Sequence, residues 1–182
     1  MTRYFAVSNL HELGPLEVHK LYKLRVDVFV HEQGTPYAEI DDADAATSTH
    51  HILAWERAAS GVTVLDGCAR LIPTTVADLA AATGSTLTLD DAPVSQLGRL
   101  AVAREFRGTG LADEIMHNAL RLAHEKHPSN DVVLTAQSPL RSFYEGYGFS
   151  VCGSEFLDSG VAHLPLVLGA AELADYATAP RA

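Results

Sequence analysis

The sequence is short of cysteine. Its 182 residues include two, Cys68 and Cys152, and both lie among apolar neighbours. Neither belongs to a spacing of ligands that is typical of a metal site. We therefore expect two buried thiols in a reducing cytoplasm, and no metal.

Basic residues are also scarce. Thirteen Lys and Arg stand against 23 Asp and Glu, which gives a formal net charge of −10. Proteins that bind nucleic acid present basic faces, so this deficit argues against a nucleic-acid partner. An acidic surface favours cationic substrates, although solubility explains the same charge.

Long hydrophobic runs are missing as well. No apolar stretch approaches the length of a membrane span, and the N-terminus carries one Arg without the apolar core of a signal peptide. The sequence therefore predicts a cytoplasmic protein with no membrane partner. Its length predicts a single domain over residues 1–182, in which 73–95 is an insertion or a long connection and 169–182 is a C-terminal tail.

Hydrophobic periodicity divides the chain into strands and helices. A helix is expected over 16–30, followed to Thr49 by a polar, acidic loop that has room for one helical turn and in which Pro36 breaks any longer helix. Strands are expected at 3–7, 51–56, 62–72, 96–102, 132–136, 149–156 and 162–168, and further helices at 111–124 and 140–147. The second and third strands would turn near Ser60 and Gly61. This arrangement favours a mixed sheet with helices on both faces.

A glycine turn stands between an expected strand and an expected helix, in the segment 103–112. Gly108 and Gly110 allow a sharp turn and the close approach of a ligand to the backbone. The first amides of a helix have no partners within it and carry partial positive charge, so together with Arg107 they can bind a phosphate or diphosphate. An ordinary strand–helix turn explains the pattern equally well.

Two common nucleotide motifs do not fit this turn. A P-loop needs Gly-Lys-Ser/Thr, but Leu111 and Ala112 follow Gly110. A dinucleotide fingerprint needs a third small residue where Asp113 stands, and an acid there would repel a diphosphate.

Two motifs taken together resemble the GNAT N-acetyltransferase superfamily. Arg-Gly-Thr-Gly-Leu-Ala at 107–112 precedes a helix and an apolar strand, after which Phe-Tyr-Glu-Gly-Tyr-Gly-Phe follows at 143–149. The front of the chain, Leu-Arg-Val-Asp-Val-Phe-Val-His-Glu-Gln at 24–33, resembles the ElaA-like branch. Further residues that resemble this branch are Pro36, Glu39, Ile40, Asp41, Asp44, His51, Ile52, Leu53, Glu155, Gly160 and His163.

The resemblance implies the family's fold, an α/β (α+β) arrangement with a mixed, mostly antiparallel sheet, splayed parallel central strands and helices on both faces. It also implies acetyl-CoA as the acyl donor, with the pantetheine between the strands 96–102 and 132–136. On the first of these strands, the main chain of Leu100, Ala101 and Val102 would bind the pantetheine. The diphosphate would be bound by the main-chain amides of Arg107, Gly108, Thr109, Gly110, Leu111 and Ala112.

The resemblance also assigns the chemistry of the leaving group. Tyr144 matches the family's tyrosine and is the expected general acid for the thiolate of CoA, while Tyr147, one helical turn on, is the competing candidate. The amide near Val102 would stabilise the oxyanion. Glu105 departs from the family pattern, because many members have Gln or Arg at its position.

Several side chains are candidates for the general base. The superfamily often has a glutamate on the cleft face of the strand 96–102, but this strand contains no acid. The candidates that are left are Glu32, His51, Glu155 and His163, or a water path to one of them, and a histidine needs the least tuning because its pKa is near neutral. Arg99 would share a face with Leu97 and Ala101 and either bind an anionic group of the acceptor or form a salt bridge.

Carboxylates crowd the segment 32–44, where they would attract a cationic amine, small or peptidic, or belong to a solvated loop. Two other functions stay open. One is an acyl-CoA-binding module without useful catalysis. The other is a small metal-dependent hydrolase that uses His50, His51, Asp41 and Asp44, although adjacent strand residues such as the two histidines point to opposite faces. Both a monomer and a homodimer fit the sequence.

Overall fold

The computed structural model describes residues 2–35, 38–57, 59 and 61–178. Pro36 and Ser60, which enter the sequence predictions above, lie outside the described residues, as do the last four residues of the predicted tail. Among the residues described, no helix combines the length and the apolar character that a membrane span needs.

The regular elements follow the predicted order. The strands are β1 (Thr2–Ser8), β2 (His50–Arg57), β3 (Thr63–Thr75), β4 (Pro93–Val102), β5 (Asp131–Gln137), β6 (Ser150–Val151), β7 (Phe156–Asp158) and β8 (Val161–Leu168). The α-helices are α1 (Pro15–Arg25), α2 (Val76–Thr83), α3 (Leu111–Lys126), α4 (Arg141–Glu145) and α5 (Ala170–Thr178). The chain forms two compact units: residues 1–72 with 99–119 make the first, and 73–98 with 120–182 make the second.

In the first unit, β1 pairs antiparallel with β2, and β2 pairs antiparallel with β3. The Ala103 amide, just beyond β4, donates to the Asp66 carbonyl of β3 at 2.8 Å. Leu21 and Leu24 of α1 are three residues apart and lie on its buried face, whereas Leu16 is exposed. One hydrophobic core cluster of this unit contains Leu21, Leu24, Val28, Leu53, Trp55, Leu65, Cys68 and Ala101.

Gly67 marks a close approach of three elements in this unit. A Cβ at this position would lie 2.5 Å from Ile115 Cδ1 of α3 and 3.0 Å from the Ala101 carbonyl of β4. Only glycine fits such a gap without displacement of its neighbours. The β2–β3 register also shifts here, because Ala54 pairs with Gly67 while Trp55 pairs with Leu65, which leaves Asp66 as the extra residue of a bulge.

The first long helix ends later than predicted. Pro15 suits the first helical position, and the Gly14 amide donates to Glu17 Oε2 at 2.8 Å. After α1 the chain continues as a π-helical stretch over Val26–Glu32, in which the Gln33 amide reaches back five residues to the Val28 carbonyl at 3.1 Å. Glu32 is therefore helical rather than part of the predicted loop. The helix continues through a π turn, whose spacing differs from the 3.6-residue period of the apolar pattern.

In the second unit, β4 and β5 form a short parallel ladder from Val94 and Asp131 to Gln96 and Val133. Among the described residues no pairing of these two strands continues past that point, although β5 runs on to Gln137. The remaining ladders of the unit, β5–β8, β6–β8 and β7–β8, are antiparallel. The predicted mixed, mostly antiparallel sheet with splayed parallel central strands is thus confirmed.

The segment 73–95 contains regular structure. Its first residues complete β3, its middle forms α2, and Pro93 begins β4. Thr75 caps α2, since its Oγ1 accepts from the Asp78 amide at 3.1 Å, and Gly84 ends the helix with a φ of 65°. One hydrophobic core cluster of the second unit contains Val76, Leu79, Val94, Val133 and Cys152. The segment is therefore part of a packed unit rather than a bare connection.

Two further predictions concern the second unit and the thiols. The closing hairpin turns at Ser159 and Gly160, both with positive φ, but its first strand is broken into β6 and β7 around Gly153, which forms an isolated bridge with Leu87. Cys68 and Cys152 are free and buried, as predicted.

Candidate active site

The glycine turn of the first unit is exposed and has open space around both glycines. Gly108 and Gly110 have φ angles of 74° and 84°, and open space surrounds the position of a Cβ at both. Thr109 Oγ1 donates to the Phe106 carbonyl at 2.7 Å and closes the turn. The first intrahelical bond of α3 joins the Glu114 amide to the Gly110 carbonyl at 3.1 Å, so the amides of Leu111 and Ala112 have no acceptor within the helix.

Arg107 is engaged by protein groups. Its Nε donates to the Val102 carbonyl at 3.0 Å, and its two terminal nitrogens donate to the carboxylate of Glu32, one of them at 3.0 Å. Hydrogen bonding from Arg107 lowers the pKa of Glu32 below its usual range. A carboxylate with a lowered pKa is a weaker base. Glu32 therefore contacts the turn through Arg107 but is poorly suited to act as the general base.

Arg99 interrupts the regular alternation predicted for β4. Its φ is 54°, so Leu97, Arg99 and Ala101 do not simply alternate along one face. The guanidinium lies against two carboxylates: Nε is 3.1 Å from Glu39 Oε2, and Nη2 is 3.3 Å from Asp41 Oδ2. Of the two roles considered for Arg99, the salt bridge is the one present in the structure.

The buried charge network is a cluster of five side chains, Arg25, Arg70, Glu39, Asp41 and Asp44. Arg25 donates to Glu39 Oε1 at 2.6 Å and to both oxygens of Asp44 at 2.6 and 3.1 Å. Arg70 donates to Asp44 at 2.6 Å and to Asp41 at 2.7 and 3.1 Å. Four of the five are buried and Asp41 is half-buried. Each carboxylate of the network faces at least one guanidinium, which is the condition for stable burial of charge.

The network and its burial shift the pKa values of Asp44 and Glu39 in opposite directions. Burial alone would raise the pKa of Asp44, but hydrogen bonds from Arg25 and Arg70 outweigh it and lower the pKa to about 2. For Glu39 burial prevails over the neighbouring Arg99 and Arg25, and its pKa is raised. The acidic stretch 32–44 is therefore largely paired with arginines, rather than an open cluster of carboxylates for a cationic acceptor.

His51 belongs to the surroundings of this network. It is 1% exposed, and its Nε2 donates to the Asp44 carbonyl at 3.1 Å. Because a carbonyl only accepts, Nε2 carries the proton and Nδ1 is an acceptor, which finds no hydrogen-bond partner among the described residues. Burial lowers the pKa of His51, so the ring is neutral at pH 7. In this conformation His51 is a buried polar residue and not an exposed base.

The residues of the suggested metal hydrolase have other contacts. Asp41 and Asp44 bind arginines, and His51 binds a carbonyl. Within the described ranges, no three His, Cys, Asp or Glu residues come together in a way that could hold a metal ion.

Tyr144 lies in the second unit, on α4. Its ring packs edge-to-face against Phe143 at 5.0 Å and Phe149 at 6.1 Å between centroids. Burial raises the pKa of its hydroxyl to about 12, so the phenol stays protonated at neutral pH, which is the state that a general acid requires. Tyr147 is also buried, and its carbonyl accepts from the Tyr176 hydroxyl at 2.8 Å.

The other two base candidates also lie in the second unit. Glu155 is exposed and accepts from Ser138 Oγ at 2.7 Å. His163 is buried, lies 2.9 Å from the Val161 carbonyl through Nδ1, and stacks on Phe156. These contacts indicate a packing role for His163, whereas the carboxylate of Glu155 is exposed.

Sequence reasoning missed a buried carboxylate, Asp66, in the first unit. It is the bulge residue of β3, it is fully buried, and its nearest cation is Arg3, at 3.7 Å. Burial and the nearby Glu56 raise its pKa to about 6. In the sequence Asp66 stands within a run of mostly apolar residues in β3, and an acid in such a run is the signal that could have marked it.

Comparison with known proteins identifies the family. The family described as "Acetyltransferase (GNAT) domain" matches residues 74–169, more than half of the chain. Protein ElaA of Escherichia coli is 28% identical over 159 residues, which cover 86% of this chain and 92% of ElaA. A UPF0039 protein of Mycobacterium tuberculosis is 30% identical over 156 residues, which cover 86% of each protein.

Solved structures agree with these matches. The crystal structure of an acyl-CoA N-acyltransferase from Pseudomonas aeruginosa has a TM-score of 0.75 at 28% identity and covers 91% of this chain and 99% of its own. The crystal structure of E. coli ElaA has a TM-score of 0.74 at 26% identity, with the same coverage. The chain therefore belongs to the GNAT family of acyltransferase enzymes, in the ElaA-like branch that its motifs predicted.

Proposed function

We propose that this enzyme transfers an acetyl group from acetyl-CoA to a primary amine, by direct attack within a ternary complex. The observation that supports the donor is the glycine turn, where exposed backbone with two positive φ angles leads into the open first turn of α3. Such a turn presents N–H groups and partial positive charge to a diphosphate.

The donor would be bound chiefly by the main chain. The amides of Arg107, Gly108, Thr109, Gly110, Leu111 and Ala112 are the proposed diphosphate ligands. The main chain of Leu100, Ala101 and Val102 is the proposed partner of the pantetheine. Because the Arg107 side chain already binds Glu32, its contribution to donor binding requires exchange of that partner, whereas the amides of Leu111 and Ala112 need none.

In the reaction, the neutral amine attacks the thioester carbonyl, a C–N bond forms, and the C–S bond breaks to leave the thiolate of CoA. Tyr144 is the proposed donor of the proton that the thiolate takes up, since its phenol is protonated at neutral pH. The main-chain amide near Val102 is the proposed donor to the oxyanion.

The proton of the amine needs an acceptor. Burial keeps His51 neutral but removes it from direct contact, so we assign it at most the end of a water path. Glu32 is the weaker candidate because of its ion pair with Arg107. Arg99 is a further proposed site residue, because it lies on β4 directly before Leu100–Val102.

The acceptor is proposed to be a small or peptidic cationic amine, in keeping with the net charge of −10. Because the acids of 32–44 are mostly paired with arginines, this choice depends on overall charge and not on an open acidic cluster. We further propose one N-acetyltransferase domain over residues 1–182, as a cytoplasmic monomer or homodimer; the two free thiols fit a reducing compartment.

A transfer assay tests the proposal. The purified protein is incubated with acetyl-CoA and a panel of amines that includes polyamines, lysine derivatives and peptides with free N-termini. We expect release of free CoA that depends on the amine, with a matching mass increase of one acetyl group. Binding of acetyl-CoA without transfer to any amine would favour the acyl-CoA-binding module.

A further inference from the structure

Arg99 is held in an unfavourable backbone conformation. Its φ of 54° lies in the left-handed region, and among the described residues the only other non-glycine with positive φ is Ser159, in a hairpin turn. An L-residue with a side chain adopts this conformation at a cost, so a bulky residue inside a strand needs surrounding contacts that stabilise it.

Both ends of Arg99 have such contacts. The guanidinium forms ion pairs with Glu39 and Asp41 at 3.1 and 3.3 Å. The main-chain carbonyl of Arg99 accepts a hydrogen bond from the thiol of Cys68 at 3.7 Å. Glu39 and Asp41 are fixed in turn, because Arg25 donates to the first at 2.6 Å and Arg70 to the second at 2.7 Å. The Arg99 side chain therefore binds carboxylates that are themselves held in place, and these contacts resist a change in the backbone conformation of β4.

Resting on the proposed function, we propose that Arg99 is a positioning residue. Its ion pairs with Glu39 and Asp41 fix the left-handed main chain at position 99, and this sets the direction of the amides of Leu100–Val102. Irregular residues in strands re-aim the chain beside active sites, and these amides are the proposed donors to the pantetheine and the oxyanion. The guanidinium then acts through the backbone and does not bind the acceptor.

Two substitutions separate these roles. Arg99→Ala removes the ion pairs and leaves a side chain that disfavours the positive φ, whereas Arg99→Gly removes the same ion pairs but allows that φ at no steric cost. We expect kcat/KM of Arg99→Gly to exceed that of Arg99→Ala by about tenfold. Equal losses in both variants, as a guanidinium that binds the acceptor would give, or no loss in either, would overturn the inference.

A second readout does not depend on transfer. In NMR spectra of the free protein, the amide resonances of Leu100–Val102 should stay near their wild-type positions in Arg99→Gly and move in Arg99→Ala. If the wild-type protein transfers no acetyl group, the proposed function fails while this comparison still decides the backbone role. Should Arg99→Ala not fold, Asp41→Asn is used instead: it should move these resonances with Arg99 present and leave them unchanged in the Arg99→Gly background.

Discussion

Replacement of Tyr144 by Phe is expected to lower kcat by about 100-fold or more, the usual range for loss of a general acid. Phenylalanine keeps the ring contacts with Phe143 and Phe149, so the fold should be retained. The hydroxyl is not among the proposed ligands of the diphosphate, and we expect the Kd of acetyl-CoA to change by no more than about twofold. Steady-state kinetics and calorimetric titration provide the two values.

Tyr147→Phe is the matched control, since Tyr147 is equally buried and lies one turn further along the chain. We expect this variant to keep most of its turnover. The opposite result, loss of turnover in Tyr147→Phe with full turnover in Tyr144→Phe, would move the acid role to Tyr147. A parallel loss of turnover and of acetyl-CoA affinity in Tyr144→Phe would instead indicate a binding role.

The second large effect concerns stability. Asp44→Asn leaves Arg25 and Arg70 without their shared carboxylate, and loss of one partner from a buried ion pair costs about 3–5 kcal/mol in free energy of unfolding. We expect a loss of about 3 kcal/mol in urea unfolding at pH 7, because Glu39 and Asp41 still neutralise part of the charge. Asp42→Asn, an exposed acid of the same turn, is the control and should change stability by less than about 0.5 kcal/mol.

The same carboxylate makes stability depend on pH. The pKa of Asp44 falls from an ordinary 3.8 to about 2 on folding. A group with a lowered folded pKa contributes stability that is present above its unfolded pKa and lost as pH falls through the folded one. Wild-type stability should therefore decline between about pH 4 and pH 2. In Asp44→Asn this decline should be smaller; an unchanged slope would show that other acids control acid unfolding.

Local patterns predicted most of the fold. The strand Gln96–Val102, the glycine turn and the helix that begins at Leu111 each follow from adjacent residues, so their positions are confirmed within a few residues. The π-helical end at Glu32 was missed because its spacing differs from the 3.6-residue period of the apolar pattern. The regular structure in 73–95 was missed because short Ala- and Thr-rich segments carry weak signals.

The ion pairs around the site could not be predicted from local sequence patterns. Arg25 binds acids 14 and 19 residues away, and Arg70 binds Asp41 and Asp44 across 29 and 26 residues. A single sequence does not show which distant charges meet, so the segment 32–44 looked like a free acidic cluster. The positive φ of Arg99 likewise has no sequence signal, since only glycine would have marked it.

We propose that main-chain amides of residues 107–112 bind the diphosphate of CoA. Titration of ¹⁵N-labelled protein with CoA, with pantetheine as a control that lacks the diphosphate, tests it residue by residue. We predict that CoA moves the amide resonances of Gly108, Thr109, Gly110, Leu111 and Ala112 the most and that pantetheine leaves them in place. If CoA binds while these resonances stay unchanged, the diphosphate is bound elsewhere and the account is contradicted.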